Sequence, residues 1–171
     1  MESMEKYFGG LSKKELPYNI FLFMQSHFET DTSKRDPNLT IYHPRDTLKH
    51  KKIDCDDAAL FFHYFYSRAG MESNIALAYF NDRYQRVDSF GTIFSLFKVE
   101  DNPNWFYIDN NNLVELSSIN IKAAMNKEFS YFAERAMFID GDKLLKENVF
   151  ECSFEEFPPD NKCFWVRSRD K

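Results

Sequence analysis

Cys55 stands among carboxylates, with Asp54 before it and Asp56 and Asp57 after it. A dense apolar run follows, Ala58 to Phe62 and Tyr64 to Tyr66, and then Arg68 and Gly70. That density predicts a buried helix with Arg68 as a basic last turn and Gly70 as its stop. A cysteine at the head of such a helix is placed for thiol chemistry, because the helix N-terminus favours the thiolate. The competing reading is a free cysteine packed as a small apolar residue, the commoner state of an arbitrary cysteine. Thiol-dependent acyl transfer needs a nucleophile, an imidazole that exchanges its proton, and a carboxylate or amide that orients the imidazole. Asp109, ending the aromatic run from Trp105, is the candidate carboxylate. The imidazoles are His27, His43, His50 and His63. His43 and His50 lie shortly upstream of the cysteine, and His50 is followed by Lys51 and Lys52. Those lysines either lower the thiol pKa or form a solvated basic loop. His63 falls about two turns along the cysteine's own helix, which directs it to the core or away from the sulfur. His27 reads as a packed or surface histidine.

Several elements must position these groups. Met1 to Gly10 reads as a short amphipathic segment, and Ser12 with Glu15 completes a capping box. Pro17 then falls just inside a buried helix spanning Tyr18 to Phe28. Glu29 to Asn38 is polar, and Asp36-Pro37-Asn38 marks a loop. Leu39 to His43 is a short extended candidate stopped by Pro44, and Arg45 to His50 a brief helix. Beyond Gly70, Asn74 to Phe80 is a strand candidate, Asn81-Asp82 a turn, and Tyr84 to Phe90 a second strand or loop. Thr92 to Val99 and Trp105 to Asp109 read as a hairpin of β-favouring residues. Ile119 to Phe132 is expected to contain a helix, Lys143 to Phe150 a short helix, and Cys163 to Val166 a small strand. Asp140 and Asp142 flank Gly141 in a turn that lacks the liganding pattern of a calcium-binding EF-hand. Helices come first and strands afterwards, which argues for an α+β domain over alternating βαβ units.

Composition narrows the classes. The chain has 171 residues, enough for one domain with a real core. Aromatic residues make up 18%, with 19 Phe and 9 Tyr, so a heavy core is affordable and disorder is not the default. A net charge of −5 and the absence of a Lys/Arg run interleaved with aromatics argue against nucleic acid as a partner. Cys55, Cys152 and Cys163 are an odd number without zinc-ligand spacing. No signal core or bilayer-length apolar stretch is visible, so a cytoplasmic protein with reduced thiols and no membrane contact is the expectation.

The ordered set of features resembles the transglutaminase-like superfamily, which shares a papain-like fold. The nearest likeness is to bacterial transglutaminase-like cysteine peptidases. In those, a proline and an acidic residue plus leucine precede a Gly-Asp-Cys-Glu/Asp-Asp stretch and an apolar helix ending in glycine. Here Pro44, Asp46 and Leu48 precede Ile53-Asp54-Cys55-Asp56-Asp57, and the helix ends at Gly70. The family continues with a strand, a strand opened by histidine, and an aromatic strand ending in aspartate. The counterparts are Asn74 to Phe80, Thr92 to Val99, and Trp105 to Asp109-Asn110. The resemblance covers about residues 18–112, leaving 113–171 as a helical and strand extension of a single domain. It implies N-terminal helices and a cysteine-led buried helix packed on a small antiparallel sheet.

Two positions depart from the pattern. Ile53 replaces a glycine, and Thr92 stands where the histidine is expected. Threonine cannot hold a proton near neutrality or form an ion pair with a thiolate. Losing a general base removes roughly 10²–10⁴-fold in rate. The resemblance therefore implies a catalytically degenerate protein that acts by binding a protein partner. One alternative is an active thiol peptidase or acyltransferase in which His43 or His50 is an unorthodox base for Cys55. A second is an unrelated α+β interaction domain. In some of these peptidases the acidic residues beside the cysteine are associated with calcium, which would place Asp54 and Asp56 as ligands. Capping of the helix by these residues is the competing reading, with no cofactor required.

Overall fold

A computed structural model describes residues 1–31, 41–80, 90–109, 112–116, 133–139, 141–147, 149–153 and 164–166. Two helices open the chain, α1 (Glu2–Gly9) and α2 (Leu16–His27). The capping box predicted at Ser12 is formed: Glu15 N donates to Ser12 Oγ at 3.3 Å, and Ser12 N donates to Glu15 Oε2 at 3.2 Å. It closes the turn before α2, whose first turn contains Pro17, where the missing N–H leaves no bond unmade. Strand β1 (Glu29–Thr30) pairs in parallel with β2 (Lys52–Ile53), with α3 (Pro44–Thr47) between them in sequence. Both strands occupy segments read as loop, because two-residue pairings leave no periodic signature. Pro44, expected as a stop, instead starts α3, since its fixed φ suits a first helical position.

Helix α4 (Cys55–Arg68) is the centre of the molecule. Residues Ala59 to Tyr66 are all buried, as a helix enclosed on every side requires. Its C-terminus is a Schellman arrangement: Gly70 N donates to Ser67 O at 3.1 Å and Met71 N to Tyr66 O at 2.9 Å. Gly70 takes φ +66°, the left-handed conformation glycine tolerates. On one side α1 and α2 pack their Phe8, Leu16, Ile20 and Met24 against Phe61 and Phe65 of α4. Phe8 meets Phe65 edge-on at 4.8 Å between ring centres.

On the other side of α4 lies an antiparallel sheet. Its strands are β3 (Ser73–Phe80), β4 (Phe90–Lys98), β5 (Trp105–Asp109), β6 (Asn112–Leu116), β7 (Ala133–Ile139), β8 (Val149–Ser153) and β9 (Phe164–Val166). The spatial order is β6-β5-β4-β3-β7-β8-β9. Tyr66 of α4 packs on Phe97 of β4 with ring centres 4.6 Å apart. The expected hairpin is present, Leu96 facing Tyr107 and Lys98 facing Trp105. The α+β architecture is thus the expected one, with N-terminal helices and a cysteine-led helix on an antiparallel sheet.

The C-terminal third differs from its reading. It supplies β7, which lies beside β3 in the middle of the sheet, so the sheet extends beyond residues 18–112. Such a pairing joins segments about sixty residues apart and has no local signal. The helix expected over Lys143 to Phe150 is α5 (Gly141–Glu147), and Val149 already begins β8. The run Val149-Phe150 favours a strand once a partner is beside it. The loop at Asp36-Pro37-Asn38, the turn at Asn81-Asp82 and the helix over 119–132 lie outside the described residues.

Candidate functional site

The start of α4 is built by its acidic residues. Asp54 is the N-cap in extended backbone, and its Oδ1 accepts from Asp57 N at 3.1 Å. That bond satisfies one of the orphan donors of the first turn. Asp57, fully buried, accepts Tyr42 N through Oδ1 at 2.6 Å and so ties the segment before α3 to α4. Asp56 is also buried, and its carboxylate sits favourably at the positive end of the helix. The capping role expected for Asp54 is the one it plays.

Cys55, partly buried, donates its thiol hydrogen to Asp56 Oδ1 at 3.3 Å. The bond sets the sulfur against a carboxylate. A thiolate formed there would place two negative charges in contact, an arrangement that opposes the help given by the helix end. Among the described residues, no group of three or more His, Cys, Asp or Glu side chains is arranged to hold a metal ion. Asp54 and Asp56 are engaged by the helix N–H and the thiol respectively.

Thr92 and Asp109, the expected partners, lie on β4 and β5 of the sheet. Helix α4 reverses through Gly70 into β3, and His63 of α4 meets Ser73 at the start of that strand. From His63 back to Cys55 the helix rises about 12 Å. From Ser73 forward to Ala78 the strand advances about 17 Å. Thr92 of β4 is the backbone partner of Ala78. Strand β5 runs antiparallel to β4 and ends at Asp109, paired with Asn112.

The fallback bases make contacts of their own. His43 caps α3, its Nδ1 accepting Arg45 N at 3.2 Å, and its ring lies 6.0 Å edge-on from Tyr64. Tyr64 is nine residues beyond Cys55, about 13 Å along the helix axis. The ring of His50 stacks on Tyr42 at 4.0 Å. His27, exposed on the surface, stacks on Phe23 at 3.9 Å, within the packed or surface reading made for it. The Cys55 sulfur donates to the Asp56 carboxylate.

Two polar clusters were not foreseen. Tyr64 donates to the Glu5 carboxylate of α1, with Arg45 Nη2 4.0 Å from Glu5 and Arg68 over the Tyr64 ring at 5.4 Å. The Tyr64 hydrogen bond, opposed by desolvation and aided by Arg68 and Arg45, holds the Glu5 carboxyl below its ordinary pKa. The second cluster joins His63, Ser73 and Asp142 across α4, β3 and α5. Both clusters link residues far apart in sequence, so no spacing rule reveals them. No protein-family profile matches this sequence, and no curated protein matches it.

Proposed function

We propose that this chain is a transglutaminase-like protein whose cysteine centre has lost acyl-transfer chemistry and which works by binding a protein partner in the cytoplasm. The observation that carries the reading is the hydrogen bond from Cys55 to Asp56 at 3.3 Å, which engages the thiol with a carboxylate. Threonine at position 92, on the strand expected to supply an imidazole, supports the same conclusion. A binding role draws support from the outer face of α1 and α2. Tyr18 and Leu22, four residues apart on α2, are 56% and 43% exposed, and Tyr7 of α1 is 58% exposed. Tyr7 Oη also donates to Asn19 Oδ1, which holds the aromatic ring beside α2. Exposed tyrosines fixed in position suit a protein interface, where they contribute area at small entropic cost. The odd cysteine count is consistent with a reducing compartment.

The test is incorporation of a fluorescent primary amine into a glutamine-rich protein, with release of fluorescent peptides from casein measured in parallel. Wild type and Cys55→Ala are expected to give the same background in both assays. Turnover that depends on Cys55 would overturn the proposal.

A further inference from the structure

Ser73, His63 and Asp142 form a connected set at the opposite end of α4 from Cys55. Ser73 Oγ is 2.9 Å from His63 Nδ1, and His63 Nε2 is 3.4 Å from Asp142 Oδ1. The first distance is a hydrogen bond. The second is longer and lacks hydrogen-bond geometry, a close approach of the ring nitrogen to the carboxylate. Such contacts are often long in a free protein and tighten when substrate arrives. Asp142 is itself oriented by Ser67 Oγ, which donates to Asp142 Oδ1 at 2.9 Å.

The imidazole is held rigidly. His63 is 4% exposed, and its ring lies so close to Gly141 that a Cβ there would come 2.4 Å from the His63 Cδ2 atom. The negative charge of Asp142 beside Nε2 favours the tautomer that carries its proton there. That tautomer leaves the Nδ1 lone pair facing the Ser73 hydroxyl, which is the protonation state of a general base beside its nucleophile. Ser73 is partly exposed, while the base behind it is enclosed. Beside Ser73, Lys98 Nζ is paired with Glu72 Oε2 at 2.9 Å. Limited access and neutralised surroundings suit a compact, uncharged acyl group.

We infer that Ser73 is an acyl-accepting nucleophile, with His63 as its base and Asp142 as the positioning residue, acting on small carboxylic esters. Ser73 Oγ bonds to the acyl carbon as its proton passes to His63 Nδ1. The alkoxide leaves with that proton, giving an acyl-serine and a free alcohol. Water, deprotonated by Nδ1, then releases the carboxylic acid and restores the hydroxyl. This chemistry is independent of Cys55 and goes beyond the binding role.

The experiment treats the full chain carrying Cys55→Ala with a fluorophosphonate probe, maps the adduct by peptide mass spectrometry, and follows p-nitrophenyl acetate hydrolysis. A single adduct on Ser73 is expected. Its rate should fall by about 10²-fold or more in His63→Gln. In Asp142→Asn, a change at a half-exposed site that spares the fold, it should fall at least about tenfold, and the midpoint of the pH–rate profile should move. No adduct on Ser73, or an unchanged rate and pH profile in Asp142→Asn, overturns the inference. Circular dichroism checks each variant, and where His63→Gln fails to fold, Asp142→Asn decides.

Discussion

Replacing Tyr64 or Tyr66 by phenylalanine removes one hydroxyl from α4 in each case, and the two removals should have opposite signs. Tyr64 Oη donates to the Glu5 carboxylate, a bond that fastens α1 to α4. A hydrogen bond to a charged group contributes about 1.5–3 kcal/mol. The Glu5 side chain keeps 17% exposure, so water replaces part of what is lost, and the lower half of that range applies. Tyr64→Phe should therefore destabilise by about 1.5–2 kcal/mol. For a chain of this size that corresponds to a fall in Tm of roughly 3–8 °C. Tyr66 Oη is fully buried with no hydrogen-bond partner among the described residues. Burying an unpaired hydroxyl costs about 1–3 kcal/mol, so its removal should stabilise, by about 1 kcal/mol after the small void is counted.

The pH dependence adds a second signature to Tyr64→Phe. Glu5 is depressed below its ordinary 4.5 in the folded state, first by the Tyr64 hydrogen bond. A depressed carboxyl contributes stability above its unfolded pKa and loses it as pH falls through the folded value. The gap between wild type and Tyr64→Phe should thus be full above pH 4.5 and shrink below it. Burial, and then the Glu5 bond, raise the Tyr64 phenol above 10.0, so its contribution is present below that pH and lost as pH rises through the folded value. Urea unfolding followed by circular dichroism, with m constant across variants, measures both effects. Shifts of the same sign in Tyr64→Phe and Tyr66→Phe would refute the reasoning.

Two further substitutions probe the frame around α4. Phe8→Ala empties a site 2% exposed and enclosed by Phe65 and Phe23, and should cost about 3–5 kcal/mol in urea unfolding; a cost below about 1 kcal/mol would remove α1 from the core. Gly70→Ala meets no atom within 4 Å but must keep φ +66°, so the backbone alone sets a cost of about 1–2 kcal/mol, and Gly70→Asn should cost less in the same assay.

Helix α4 was legible because its signals are local. Asp54 caps it, Gly70 ends it in the left-handed conformation, and the apolar run between them admits only a buried helix. Strands β3, β4 and β5 were legible for the same reason, as β-favouring runs separated by turn residues. Strand β7 was not, because its place beside β3 depends on a partner far away in the chain. Pro44 misled for a different reason: a proline can end an extended segment or open a helix, and only the cap at His43 decides. At the candidate site, the residues on α4 were read in place, and the capping role of Asp54 followed from position alone. The thiol bond to Asp56 did not follow, since spacing cannot choose between a side chain pointing back to the sulfur and one pointing to solvent. The Ser73–His63–Asp142 set was hidden for the reason β7 was, with one residue contributed by each of three elements.

The central claim concerns the sulfur of Cys55, and its reaction rate with an electrophile tests that claim most directly. Iodoacetamide labelling of the native protein near neutral pH, resolved by peptide mass spectrometry, gives separate rates for Cys55, Cys152 and Cys163. A thiol bonded to the Asp56 carboxylate should react slowly, and Asp56→Asn should speed Cys55 alone by removing the negative charge beside it. Fast labelling of wild-type Cys55, selective over Cys152 and Cys163 and slowed by loss of a histidine, would contradict the account.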